Sequence, residues 1–279
     1  MARKIKRLNL KSARPLLIGV IHLAPLPGSP RWGGDMTAVV KGAVRDALAY
    51  VEGGADAVIV ENFGDVPFAK GALPPETVAA MARAGAAVRA AVDLPLGFNA
   101  LRNDAAAGLA LCAACDGGFI RVNVHCGAML TDQGLVEGRA HETLRERTRL
   151  CPEVQLLADV HVKHATPLGS ETLENAARDT LERGLADGLI VSGSGTGQAT
   201  DPETARRVHE SCPTAPVFIG SGADVANVES FLPYVRGVIV GSSLKRGGRL
   251  DNPVDARRVA KLRRALVGTP RRRRPTSKP

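Results

Sequence analysis

Short apolar runs rich in β-branched residues alternate with longer amphipathic stretches along nearly the whole chain. Eight such runs predict eight strands: "PLLIGVIHL" (15–23), "DAVIVEN" (56–62), "LPLGFNAL" (94–101), "GFIRVNV" (118–124), "VQLLADVHV" (154–162), "DGLIVSG" (187–193), "PVFIGSG" (216–222) and "GVIVGSS" (237–243). Between them, stretches such as "MTAVVKGAVRDALAYVEGGA" and "SETLENAARDTLERGLA" repeat apolar residues every three or four positions, which predicts helices. Several of these end in Gly followed by Asp or Ala-Asp, suited to a left-handed helix stop just before the next strand. Strands apolar on both faces and separated by helices belong to parallel sheets covered by helices. Eight of them in 279 residues, with no linker dividing the body, predict one α/β domain, a (β/α)8 TIM barrel over residues 15–268. A doubly wound sheet is the alternative.

A TIM barrel builds its active site where the C-terminal strand ends gather. The predicted ends deliver His22; Glu61 and Asn62; Asn99, Arg102, Asn103 and Asp104; Arg121, Asn123 and His125; then Asp159, His161, Lys163 and His164. Asp159, His161 and Lys163 share one face if the strand period of two continues through them. Burying Arg121, Asp159 and Lys163 is costly unless they pair with one another or with a ligand. That leaves a structural ion-pair network or a catalytic set. The seventh and eighth runs stop in Gly220, Ser221 and Gly222, and in Gly241, Ser242 and Ser243. Missing Cβ atoms there would let backbone N–H groups approach a phosphate, with Lys245 as counter-charge; tight-turn packing is the competing reading. The small-residue loop 192–201 would extend this cup, act as a mobile lid, or simply connect. "TDQG" (131–134) reads as a turn and cap ahead of a helix, or as a polar lid.

Charge changes the picture less than its total of +9 suggests, because six bases lie in residues 1–14 and five in 271–279, with no acid in either segment. The rest of the chain carries 26 bases against 28 acids. Segments 1–14 and 269–279 therefore read as solvated basic tails. One Trp and two Tyr leave few stacking platforms, so no specific nucleic-acid partner is expected. The five cysteines make no secreted disulfide pattern, and Cys112 and Cys115 read as small core residues of a helix ending at Gly117, with zinc or redox use as the alternative. No apolar run is long enough to span a membrane and no signal-peptide core follows the basic start, so a cytoplasmic protein is expected.

Taken together, "GVIHLAPLPGSP", "VENFGDVPF", "PLGFNALRND", "FIRVNV", "TDQGLVEG", "ADVHVKHATPL", "VSGSGTG", "GSGADVANV" and "VGSSLKRGGRLDNPVDARRV", in order from about residue 19 to 259, resemble the BtpA/SgcQ family. The resemblance implies a barrel of the ribulose-phosphate-binding type. One branch of that family is named for photosystem I biogenesis and another is described as a nucleosidase or sugar-metabolism protein. Two functions follow as expectations. The first is an enzyme acting on a phosphorylated sugar or nucleoside- or nucleotide-like metabolite. Asp159 would be its general base, and Lys163 or Arg121 would stabilise negative charge. Glu61 would share the proton work if a glycosidic bond is cut. Asn123 and His164 complete the catalytic candidates, and Asn99, Arg102 and Asn103 join the glycine-serine turns in holding substrate. A Schiff base at Lys163 requires an amine of depressed pKa. The second is a non-catalytic assembly or regulatory factor using its surface and tails. No cofactor is expected, although Asp159, Glu61, His22, His161 and His164 are ligand types for a divalent metal without a recognised spacing. Self-association is left open.

Overall fold

The computed structural model describes residues 5–193 and 200–268. Along them lie strands β1 (Leu16–His22), β2 (Ala57–Glu61), β3 (Leu96–Asn99), β4 (Phe119–Val122), β5 (Ala128–Thr131), β6 (Gly134–Glu137), β7 (Gln155–Val160), β8 (Ala165–Pro167), β9 (Gly188–Val191), β10 (Val217–Ile219) and β11 (Gly237–Val240). The helices are α1 (Met36–Glu52), α2 (Pro75–Ala91), α3 (Ala105–Cys115), α4 (Ala140–Leu150), α5 (Leu173–Arg178), α6 (Pro202–Ser211), α7 (Val228–Phe231) and α8 (Ala256–Gly268). Eight strands close in the order β1-β11-β10-β9-β7-β4-β3-β2, and each of these pairings is parallel. Leu16 to Gly19 of β1 pair with Gly237 to Val240 of β11, and that closure excludes the open doubly wound sheet. Each of the eight predicted runs contains one barrel strand.

The period of two divides the apolar residues between two cores. Ile18, Val20, Ile59, Phe119, Leu157, Ile190, Phe218 and Ile239 fill the barrel, while Leu17, Ile21, Val58 and Val60 pack outward against the helices. Aspartates cap the helices locally: Asp35 accepts from Thr37 N and Ala38 N at the start of α1, and Asp104 from Ala107 N at α3. The left-handed stop of α3 falls on Asp116 (φ 52°), one residue ahead of the predicted Gly117. Cys112 and Cys115 are buried free thiols on that helix. Burial pushes both thiols up, that of Cys115 to about 11, which suits inert packing.

The segment before β1 departs from the expected free tail. Leu8 is 5% exposed and joins the barrel's inner cluster. Gln155 holds it there, accepting from Leu8 N (2.8 Å) and donating to Leu8 O (3.2 Å). On the surface Lys6 pairs with Asp93 and Arg7 with Glu153. The charge count hid "LNL", whose leucines close the N-terminal end of the barrel: Leu8 is buried there and Leu10 packs beside it. Helix α8 returns to the same face, where Arg263 donates to Pro15 O (2.9 Å) and Asp56 Oδ2 (2.8 Å).

A second sheet, β6-β5-β8, stands beside the opposite end. Here "TDQG" is a hairpin turn between β5 and β6, with the Thr131 hydroxyl donating to Gly134 O (2.8 Å), and not a helix cap. Helix α4 instead starts after Arg139, with no side-chain cap. The sheet is fixed through Val124, Met129, Val136 and Val162. Among the described residues no helix is long and apolar enough to cross a membrane.

Candidate functional site

Most of the predicted polar residues meet at the C-terminal mouth of the barrel, but their roles separate by hydrogen bonding. Asp159 is saturated: its Oδ1 accepts from Arg121 Nη2 (2.9 Å) and Ser192 Oγ (3.1 Å), and its Oδ2 from Arg121 Nε (2.8 Å) and Asn123 Nδ2 (3.1 Å). A buried carboxylate with all these donors in place is an anchor for Arg121, and this geometry removes it as the free general base expected from the sequence. Burial alone would lower the pKa of Arg121; Asp159, by charge and hydrogen bond, and Glu61 hold it above the ordinary arginine value. Asn99 extends the network by donating to Arg121 O (3.1 Å) and Asn123 Oδ1 (3.0 Å).

Glu61 is the carboxylate left available. Its Oε1 lies 3.6 Å from Arg121 Nη1 and is buried without a hydrogen-bond partner. Burial raises its pKa, against the pull of Arg121 and Lys163. Beside it His22 Nε2 is 3.9 Å from Glu61 Oε2, with the imidazole tilted by 38° against the Phe63 ring at a centroid distance of 4.5 Å. Burial and the charges of Lys245, Lys163 and Arg121 push His22 down to about 3, so the ring is neutral at physiological pH.

Beyond Asp159 the strand face does not continue. His161 (φ 52°) and His164 (φ 57°) both take left-handed backbone, which for residues other than glycine costs of order 1–3 kcal/mol. The first of these ends β7 after Val160 and turns His161 outward, where the charges nearest it are Glu171, Arg207 and Glu174. Lys163 is swung inward, with Arg121, Glu61, Asp159 and Arg102 as its electrostatic neighbours. The expected shared face of Asp159, His161 and Lys163 therefore loses its middle member. His164 is exposed, with Lys163, Arg102 and Asp132 as its electrostatic neighbours. Arg102 and Asn103 each bond to the backbone here. Arg102 Nη2 donates to Lys163 O (2.7 Å), and the Asn103 amide forms a two-way bridge to the peptide of Val124 (2.8 Å each way). Among the described residues no group of three His, Cys, Asp or Glu side chains is placed to hold a metal ion.

The two glycine-serine turns face one cavity of about 90 Å³, lined by Gly220–Asp224 and Gly241–Ser243 at the rim and by His22, Glu61, Phe63, Arg121 and Lys163 below. Among the described residues, the backbone N–H groups of Gly222, Ala223, Ser242 and Ser243 donate to no acceptor, and Ser221 Oγ is buried without a partner. The reason for glycine differs from the expected one at two positions. A Cβ at Gly241 would lie 2.5 Å from the His22 ring, and one at Gly220 would lie 2.7 Å from Ser192 Oγ and 3.0 Å from Arg121 Nη2. These glycines make room for the side chains beneath, while Gly222 is required by its positive φ of 73°. Two expected contributors are spent elsewhere. Lys245 Nζ is turned under the rim to Asp46 (3.4 Å) and Asn252 O (3.1 Å), and Asp224 closes the turn ahead of α7, its Oδ1 accepting from Ala226 N and Asn227 N, while α7 itself has no side-chain cap. Of the loop 192–201, residues 194–199 lie outside the described residues; Ser192 reaches Asp159, and Thr200 Oγ1 donates to Ser221 O (2.9 Å). Ser192, at the start of that loop, and His22, at the end of β1, thus join the site beside Asp159 and Glu61.

The chain is 48% identical over 251 residues to the photosystem I biogenesis protein BtpA of Synechocystis sp., covering 90% of this chain and 88% of the relative. An uncharacterized protein of Pyrococcus furiosus is 44% identical over 266 residues, with 93% of this chain and 99% of the relative covered. Among solved structures, phosphoribosyl anthranilate isomerase from Thermus thermophilus superposes with a TM-score of 0.55 at 13% identity, covering 91% of this chain and 98% of its own, a likeness of fold alone. The model of the BtpA family matches residues 13–267, nearly the whole of the barrel and its mouth, and the chain belongs to that family.

Proposed function

We propose that the protein is an enzyme acting by acid/base chemistry on a small phosphorylated sugar or nucleoside-like metabolite held at the mouth of the barrel. The observation that carries the reading is the single cavity that has unbonded rim amides and the Ser221 hydroxyl on one side, and Glu61, Lys163 and Arg121 on the other. A phosphoryl group at the rim would accept from the rim N–H groups and from Ser221. The sugar carbons would then lie over Glu61, which keeps its proton to higher pH than an exposed glutamate and is suited to deliver and recover it. Arg121, fixed by Asp159, would stabilise negative charge developing on a substrate oxygen. The name of the Thermus barrel, which refers to a phosphoribosyl substrate, supports the class of ligand through the shared fold.

The name of the Synechocystis relative supports a second reading, a non-catalytic factor in assembly of a larger complex. Such a factor has no need of an open polar cavity. Thermal shift with inorganic phosphate, ribose 5-phosphate, nucleoside monophosphates and unphosphorylated ribose separates the two. Saturation at about 100 times Kd adds about 2.7 kcal/mol, a rise in Tm on the order of 5 °C. The enzyme reading expects that rise with phosphorylated probes and its loss in the Ser221→Glu, Ser242→Glu double variant. No shift with any anion overturns it in favour of the assembly factor.

A further inference from the structure

The cations around the mouth differ in how far their nitrogens are committed. Arg121 is bidentate on Asp159, Lys245 is paired with Asp46, and Arg102 is bonded to the carbonyl of Lys163. Lys163 is half-buried and lines the cavity together with Ser221 and Glu61. Among the described residues it has no carboxylate within ion-pair distance and no side-chain hydrogen bond. The chain goes to some trouble to put it there: left-handed residues bracket it at His161 and His164, and Arg102 clamps its backbone. Burial and the neighbouring Arg121 lower its pKa, although Glu61 and Asp159 pull the other way, so more of the amine is neutral than in a solvated lysine.

Resting on the proposed phosphate-holding mouth, we propose that Lys163 is a covalent nucleophile that condenses with the carbonyl carbon of an open-chain phosphorylated aldehyde or ketone. The neutral Nζ attacks the carbonyl carbon; as the N–C bond forms, the C=O pair moves to oxygen, which takes a proton from the Glu61 carboxyl. The nitrogen then gives a proton back to the Glu61 carboxylate, leaving a carbinolamine. Return of that proton to the hydroxyl expels water, the nitrogen lone pair closes the C=N bond, and a protonated Schiff base remains beside ionised Glu61. Carbonyl and amine supply all the atoms, and no oxidant or reductant is consumed. The iminium draws electrons from the adjacent carbon, and Glu61 is placed to take a proton from it. This narrows the substrate to sugars whose reactive form is the free carbonyl.

Borohydride trapping tests it with dihydroxyacetone phosphate, glyceraldehyde 3-phosphate and ribose 5-phosphate as probes, read by intact mass and peptide mapping. The expected result is a gain of one probe less one oxygen atom, confined to the peptide carrying Lys163. The adduct is absent from Lys163→Arg, which keeps the charge, the far-ultraviolet circular dichroism and the thermal shift with inorganic phosphate. Stabilisation by the probes with no adduct at Lys163, or adducts spread over surface lysines and unchanged in Lys163→Arg, overturns the lysine and leaves the phosphate cup standing. An adduct at Lys163 without any stabilisation by phosphate keeps the lysine and removes the cup. Neither stabilisation nor adduct overturns both.

Discussion

At the N-terminal end of the barrel Leu8 fills the opening and Gln155 has both side-chain amide atoms bonded to its backbone. At the C-terminal mouth His22 Nδ1, Glu61 Oε1, Asn99 Oδ1 and Ser221 Oγ are buried with no hydrogen-bond partner among the described residues. Unmatched buried polar atoms cost about 1–3 kcal/mol each when nothing replaces water; the floor has one in Arg263 Nη2, whereas at the mouth four gather, so one end of the same barrel is built more for stability and the other keeps groups waiting. The closed end explains how the open one is tolerated. Apolar burial and satisfied bonds elsewhere hold the fold while the mouth remains under-bonded.

Substitutions should separate the two ends by size and by kind of effect. The largest is expected from Asp159→Ala, which leaves the Arg121 guanidinium buried without its bidentate partner; urea unfolding should show a loss of about 3–5 kcal/mol. A loss below about 1 kcal/mol would show Arg121 re-paired with Glu61 and the network less essential than its geometry suggests. Leu8→Ala comes next at about 2–3 kcal/mol, with any phosphate-induced rise in Tm unchanged, because it opens a hole at the end remote from the cavity. A change in that rise would mean the two ends are coupled.

The third effect depends on pH. His22 stays neutral in the folded protein down to about 3, whereas in the unfolded chain it takes a proton near 6.5. The unfolded state therefore binds more protons in that window, and stability falls as pH drops from about 6.5 toward 3. The slope attributable to His22 approaches about 1.4 kcal/mol per pH unit. Urea unfolding at a series of pH values should show His22→Gln lacking this part of the slope; equal slopes in both proteins would place the imidazole in contact with solvent. The smallest stability effect is expected from Ser221→Ala, a gain of about 1 kcal/mol, because it removes a buried hydroxyl that has no partner. The same variant should weaken phosphate binding by isothermal calorimetry, since the unbonded hydroxyl gains a partner only when a guest arrives. Unchanged affinity would remove Ser221 from the cup.

The barrel strands were legible because helices cover one face of each strand and barrel contents the other, leaving continuous apolar runs that can be read without partners. The strands β5, β6 and β8 were not legible because each keeps an exposed position and none carries a continuous apolar run, with only Val124, Met129, Val136 and Val162 to mark their packing. The mouth was half legible. Strand ends identified which residues gather there, but hydrogen-bond saturation decides what each can do, and Asp159 and Glu61 look alike in sequence. The left-handed turn at His161 broke the alternation that placed it beside Asp159, and nothing in "DVHVKHA" announces that turn. Leu8 was not legible because it is a single apolar residue in a segment whose composition is dominated by six bases.

The hydrogen bond from Arg263 to Pro15 joins the last helix to the residue that opens the first strand. Barrel entry and exit are thus neighbours on the floor, so a tag or fusion partner attached near either starts its path with the whole height of the sheet between itself and the polar mouth.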